Sequence, residues 1–234
     1  MFYSKERDLM KKQIVALGGC GLSVKNLKFE KYLLGLTKKK NPRVCFLPQA
    51  SCEDRDYIVR FYEVYTQLNA KPSWVSLLGK VEDGWQEKLL LQDVIFVGGG
   101  NTRSMLALWR EWGVDHVLRQ AYEKGIILAG VSAGAICWFE QGVTDSVLPL
   151  GILDGLGFLA GSCCPHYDSE LQRRPIFQSR TRSKEIVAGI ALDDYTAAHF
   201  IDGELHRIIA VQPGQNAYRV VDGKDELLAV DLLK

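Results

Sequence analysis

The chain has 234 residues, 47% of them hydrophobic and 24% charged, and a formal net charge of +1. That suffices for one α/β domain, residues 1–234, with a sizeable core. The near-zero charge gives no reason to expect nucleic acid or an anionic membrane as partner. Met1–Lys12 mixes charges with a few apolar residues, and no run of about 18 apolar residues follows, so neither a secretory leader nor a membrane span is expected and a cytoplasmic location is.

Short apolar runs alternate with longer amphipathic ones. Gln13–Leu17 reads as a strand ending in Gly18-Gly19, and Leu27–Leu36 has helical spacing. Arg43–Leu47 is a second strand, Asp54–Leu68 a helix, Trp74–Leu78 a third strand, and Asp93–Val97 a fourth that runs into Gly98-Gly99-Gly100. Helices follow around Met105–Trp109 and Val114–Glu123, and the apolar run Ile126–Ala129 leads to Ser132, with Ala133–Phe139 reading as helical. Continuous apolar strands separated by helices predict a three-layer sandwich with a mainly parallel sheet covered on both faces. The last third differs. Glu185–Ile190, Ala197–Ile201, Leu205–Val211 and Ala217–Val221 are separated by turns such as Asp202-Gly203 and Asp222-Gly223, the pattern of short antiparallel strands at a sheet edge. Six cysteines match no zinc spacing; Cys45 and Cys137 read as small core residues, and the vicinal Cys163-Cys164 as core or a redox pair.

Ligand sites in such sheets lie beyond the carboxyl ends of the strands. Gly18, Pro48, Gly98 and Ser132 fall at such ends. Gly130-Val131-Ser132-Ala133-Gly134 reads Gly-x-Ser-x-Gly, a strained strand-to-helix turn that exposes a serine hydroxyl, so Ser132 is the candidate nucleophile. The neighbouring N–H groups at the helix start suit a developing oxyanion. Gly98-Gly99-Gly100-Asn101-Thr102 lacks the Lys-Ser/Thr of a phosphate-binding loop. Its Gly99 or Gly100 N–H is expected to serve as one oxyanion donor and that of Ala133 as the second, with Asn101 either touching substrate or capping the next helix. Of four histidines, His166 stands in a loop, in Cys164-Pro165-His166-Tyr167-Asp168, which suits a general base. Asp193 or Asp194, at the end of Gly189–Leu192, is expected to orient it. The chain order serine, histidine, aspartate differs from the serine, acid, histidine order of an α/β-hydrolase.

Four segments together carry a resemblance: Gly98–Thr102, Gly130–Ala135, Pro165–Tyr167 and Gly189–Ala197. In this order they resemble the peptidase E family of serine peptidases, the aspartyl dipeptidases and their cyanophycinase relatives. The resemblance implies a class I glutamine amidotransferase-like (flavodoxin-like) fold, no metal or other cofactor, and cleavage after an acidic residue in short peptides. Ser132 matches the family nucleophile, His166 its base, and Asp194 aligns best with the third member, where the family usually has glutamate. Arg173 or Arg174, downstream of the histidine, is the candidate partner for a substrate carboxylate. The expected partner is a short peptide, with a homodimer as the candidate assembly. A non-catalytic binding module on the same scaffold, and an esterase or amidase using the same triad, are the alternatives.

Overall fold

The computed structural model describes residues 11–234; Met1–Met10, most of the segment read as carrying no leader, lie outside the described residues. In chain order the first half forms β1 (Gln13–Leu17), α1 (Lys28–Leu36), β2 (Arg43–Leu47), α2 (Arg55–Gln67), β3 (Lys71–Trp74), α3 (Trp85–Leu90), β4 (Val94–Val97), α4 (Thr102–Trp112), α5 (Val114–Glu123) and β5 (Ile127–Val131). The second half forms α6 (Ala133–Ile136), β6 (Phe139–Thr144), β7 (Gly151–Asp154), β8 (Leu159–Cys164), α7 (Arg173–Arg182), β9 (Gly189–Leu192), β10 (Thr196–Ile201), β11 (Glu204–Ala210), β12 (Ala217–Val221), β13 (Lys224–Leu227) and β14 (Val230–Leu232).

Two sheets result. The larger has the order β14-β11-β10-β1-β5-β4-β2-β3 and the smaller β13-β12-β9-β8-β6-β7. In the larger sheet β1, β5, β4, β2 and β3 run parallel, while β10 lies antiparallel to β1 and to β11. Side-chain alternation along these strands divides the core in two. Val15, Leu17, Val44, Phe46, Val94 and Phe96 pack on one face, against Phe29 and Leu33 of α1 and Phe61, Val64 and Tyr65 of α2. Ile14, Ala16, Cys45, Leu47, Ile95 and Val97 pack on the other, with Met105 and Trp109 of α4, Leu118 of α5, and Phe139, Leu159 and Ile190 of the smaller sheet. The opposite face of the smaller sheet buries Val143, Cys164, Ala191 and Val220 against Phe177 of α7. Among the described residues no helix is long and apolar enough to cross a membrane.

The mainly parallel α/β architecture agrees with the sequence reading, and several elements are corrected. The third strand lies at Lys71–Trp74 rather than Trp74–Leu78. It is the sheet's outer strand, where a proline and polar residues are tolerated because one side makes no ladder. The helix expected over Ala133–Phe139 is a single turn; the chain then turns into β6, and β6–β8 were not foreseen as strands. The late strands do not all flank one sheet: β10 and β11 extend the larger sheet, while β9 and β12 belong to the smaller. Both predicted turns are present, with positive φ at Asp202, Gly203, Asp222 and Gly223. Cys163 and Cys164 are fully buried in β8, where burial raises both thiol pKa values, so they serve as core residues rather than an accessible redox pair.

His199 is a buried core histidine on β10, 2% exposed. Its Nδ1 pairs with the Tyr32 hydroxyl at 2.7 Å and its Nε2 with Gln13 Oε1 at 3.1 Å. Burial, then the charges of His206 and Arg207, lower its pKa from 6.5 to about 4. The folded chain thus favours the neutral ring, and this contribution is complete above pH 6.5 and is lost as pH falls toward 4. The melting temperature is expected to drop across that window, by an amount corresponding to up to about 3 kcal/mol, and His199→Gln to flatten the slope. An undiminished slope in that variant, measured by calorimetry at several pH values, contradicts the assignment.

Candidate active site

The end of β1 organises the site. Leu17 C=O accepts from Ser132 N–H at 3.1 Å, and Gly18 C=O accepts from His166 N–H at 3.2 Å. Gly18 N–H donates to Thr196 C=O at 3.0 Å, and Gly19 C=O accepts from Tyr195 N–H at 3.2 Å. Three consecutive residues therefore hold the serine turn, the histidine loop and the aspartate loop together. Gly19 also leaves the room this requires. A Cβ there would stand 2.6 Å from His166 Nδ1 and would overlap Asp194 Oδ1.

Ser132 has φ 57° and ψ −112°, a costly conformation for a residue with a side chain. Its N–H is held by Leu17, and its C=O accepts from Ala135 and Ile136 N–H at 2.8 and 2.9 Å. The flanking glycines allow close packing of the turn: a Cβ on Gly130 would overlap the Gly134 carbonyl, and one on Gly134 the Val97 carbonyl. The Ala133 N–H stands in the first turn of α6, where no intrahelical acceptor exists.

His166, at φ 54°, directs Nδ1 to Asp194 Oδ1 at 2.7 Å, the two side chains being 20% and 18% exposed. The hydrogen bond from His166 lowers the Asp194 pKa, burial opposes it, and the His166 charge and Ser169 add to the lowering. With Asp194 ionised, Nδ1 carries the shared proton and Nε2 is left to accept one. Among the described residues no hydrogen bond joins His166 to Ser132 Oγ. Asp193 is turned away: it is 4% exposed and its Oδ2 accepts from Asn216 N–H at 2.9 Å. Asp168 supports the pair by accepting from Asp194 N–H at 2.8 Å.

The remaining candidates are placed as follows. Gly99 lies beside the serine; a Cβ on it would be 3.8 Å from Ser132 Oγ. Its N–H donates to the Tyr57 hydroxyl at 3.3 Å, a long bond. Gly100, at φ 132°, packs where a Cβ would overlap the Ala50 carbonyl. Of the three polar candidates, Asn101 takes the capping alternative, and the two arginines are held by carboxylates of the chain itself. Asn101 caps α4, accepting from Ser104 N–H at 2.9 Å, while its Nδ2 donates to the Ser146 carbonyl at 3.1 Å. Arg173 is 1% exposed and is held by Glu170 at 2.7 Å, the Val143 carbonyl at 2.9 Å and Asp145 at 3.7 Å. Arg174 pairs with Asp225 at 2.7 Å and lies over the Tyr167 and Tyr218 rings. Contacts within the chain engage all three side chains, and for the two arginines their sequence context does not reveal this. Gly19, Tyr57 and Asp168 were not singled out by the sequence reading; the paired glycines after a strand were the one available signal.

This geometry makes Gly19 a sensitive position. Gly19→Ala is expected to break the His166–Asp194 contact, and Asp194→Asn to weaken it. Both should abolish the low-field imidazole proton resonance and reduce any Ser132-dependent turnover, by on the order of 10²–10⁴. Asp193→Asn should preserve the resonance. A resonance that survives in Gly19→Ala, or is lost in Asp193→Asn, contradicts the arrangement.

A family model, Peptidase family S51, matches residues 14–208. The chain is 47% identical over 223 residues to "Uncharacterized peptidase YgaJ" of Bacillus subtilis (strain 168), covering 94% of this chain and 97% of that one. Its fold is similar to the crystal structure of a peptidase from an acI-B1 actinobacterium, with a TM-score of 0.70, 16% identity, and 95% and 96% of the two chains covered. It is also similar to a putative peptidase E protein from Listeria monocytogenes EGD-e, with a TM-score of 0.64, 18% identity, and 86% and 100% covered. A family match over residues 14–208, joined to a relative 47% identical over 94% of this chain, shows that this chain belongs to peptidase family S51.

Proposed function

We propose that this peptidase is a serine-type enzyme that hydrolyses short peptides through an acyl-enzyme, with Ser132 as nucleophile, His166 as general base and Asp194 as its orienting carboxylate. The observation that carries the reading is the 2.7 Å His166 Nδ1–Asp194 Oδ1 contact, fixed by the same β1 terminus that holds the Ser132 turn. The Ser132 hydroxyl adds to the peptide carbonyl carbon as its proton passes to His166 Nε2. Asp194 holds the ring and balances the imidazolium charge. The carbonyl oxygen, now anionic, is met by Ala133 N–H and by Gly99 or Gly100 N–H. His166 returns the proton to the leaving amine. Water, deprotonated by His166, then cleaves the acyl ester and frees Ser132.

The reading includes a preference for an acidic residue on the acyl side of the cleaved bond, supported by the family resemblance of the four motifs. Neither Arg173 nor Arg174 supports it, since internal partners hold both.

Ser132→Ala and His166→Ala are each expected to lower turnover of an acidic dipeptide such as Asp-Leu by at least about a thousandfold, because triad members act as a unit. Fluorophosphonate should label the wild-type chain and not Ser132→Ala. Near-normal turnover in either variant, or equal labelling of both proteins, overturns the assignment. Turnover should also survive dialysis against EDTA; a loss restored by a divalent ion contradicts metal-free chemistry.

A further inference from the structure

α2 forms one wall beside the serine turn. It starts at Asp54, whose carboxylate accepts from Tyr57 N–H at 2.8 Å, and Tyr57 reaches the Gly99 N–H. Arg60 follows three residues later, on the same side of the helix. It lies where two cavities adjoin. One, of about 380 Å³, is bounded by Tyr57, Gly99 and Val131, the last two flanking Ser132. The other, of about 450 Å³, extends past Leu22 and Phe29 to Tyr195 and Gln212. Arg60, Cys20 and Gly21 line both.

Arg60 differs from the two arginines the sequence reading favoured. Its side chain is exposed, and among the described residues it makes no hydrogen bond or ion pair, whereas Arg173 and Arg174 are held by carboxylates. Its charge reaches the site: burial raises the Tyr57 hydroxyl pKa and the nearby Arg60 opposes that rise. The acidic groups around it are Asp54, engaged as a helix cap, Asp56, one turn earlier on α2, and Glu63, which lines the larger cavity together with Lys25; none forms an ion pair with it among the described residues. A guanidinium on the wall of a cleft, without a carboxylate of its own, presents a planar fork of donors matched to a carboxylate from a ligand.

We propose that Arg60 is a specificity-determining residue that binds a carboxylate of the peptide lying in this crevice. The proposal rests on the reading of Ser132 as the reacting centre. A short peptide carries two such groups, an acidic side chain on the acyl side and the C-terminal carboxylate, and either presents the same chemistry to the guanidinium.

The test is equilibrium binding, by titration calorimetry, of Asp-Leu, Ala-Leu and Asp-Leu amide to Ser132→Ala and to the Ser132→Ala/Arg60→Ala double variant. Asp-Leu is expected to bind at least about tenfold more weakly when Arg60 is lost, with Arg60→Lys intermediate. Recognition of the side chain leaves Ala-Leu weak in both proteins and Asp-Leu amide sensitive to the substitution. Recognition of the terminal carboxylate leaves Asp-Leu amide weak in both and Ala-Leu sensitive. Equal binding of Asp-Leu with and without Arg60, or no binding of any of the three peptides to the protein that retains Arg60, overturns the proposal. Fluorophosphonate labelling separates this from the catalytic reading. Failure of the wild type to label rejects Ser132 and leaves the binding result standing.

Discussion

The site depends on a short knot of backbone hydrogen bonds at the end of β1. Leu17, Gly18 and Gly19 bind the Ser132 turn, the His166 loop and the Tyr195–Thr196 segment. Those three partners come from different places: the end of the larger sheet's β5, the loop after β8 of the smaller sheet, and the β9–β10 connection that passes between the sheets. Each bond is modest by itself, about 1 kcal/mol net. Their joint effect is geometric, since together they bring the ends of two sheets to one point. Gly19 is required there because the imidazole and carboxylate occupy the space a side chain would need.

That arrangement stores strain. Ser132, His166 and Tyr195 all have positive φ, at 57°, 54° and 62°, a conformation that costs side-chain-bearing residues roughly 1–3 kcal/mol each. The surrounding structure supports the cost. The central strands are buried on both faces, and the Ser132 carbonyl is tied into the turn of α6. Positive φ also occurs at nine other side-chain-bearing residues among those described, including Cys20 and Leu22 near the end of β1 and the turn residues Asp202 and Asp222, so the conformation marks tight loops throughout the chain as well as these three.

Charge is distributed with the same economy. Around α7, Arg173 and Arg174 neutralise Glu170, Asp145 and Asp225 and join the helix to the smaller sheet. Arg173 is almost wholly buried, and removing either side of a buried pair would strand the other. These arginines are structural for that reason. Arg60, on α2, makes no such ion pair among the described residues. The distinction between a cation that joins elements and one that faces a cavity is a tertiary property, because the partner carboxylates lie up to 51 residues away along the chain, as Asp225 does from Arg174.

The sequence by itself determined the parallel sheet, because strands buried on both faces must be continuously apolar, as in β2, β4 and β5. It also determined the serine turn, because only small neighbours allow Ser132 its conformation, and the tight turns at Asp202-Gly203 and Asp222-Gly223, which need positive φ. Between Asp193 and Asp194 it left the partner of the histidine open from the residues alone. Adjacent residues on an extended segment face opposite ways, and only the packing of the β9–β10 connection against the Gly19 segment turned Asp194 to the imidazole and Asp193 to Asn216. In the smaller sheet β12 was legible, at Ala217–Val221, but the sheet's first half was not. β6, β7 and β8 carry glycines and polar residues and no clear period, even though β6 and β7 are consecutive in the chain and pair with each other. Tertiary structure also decided which arginines were satisfied internally and which one was left facing the crevice. Local pattern records burial and backbone strain, which act within a few residues; it does not record which distant side chain will neutralise a charge.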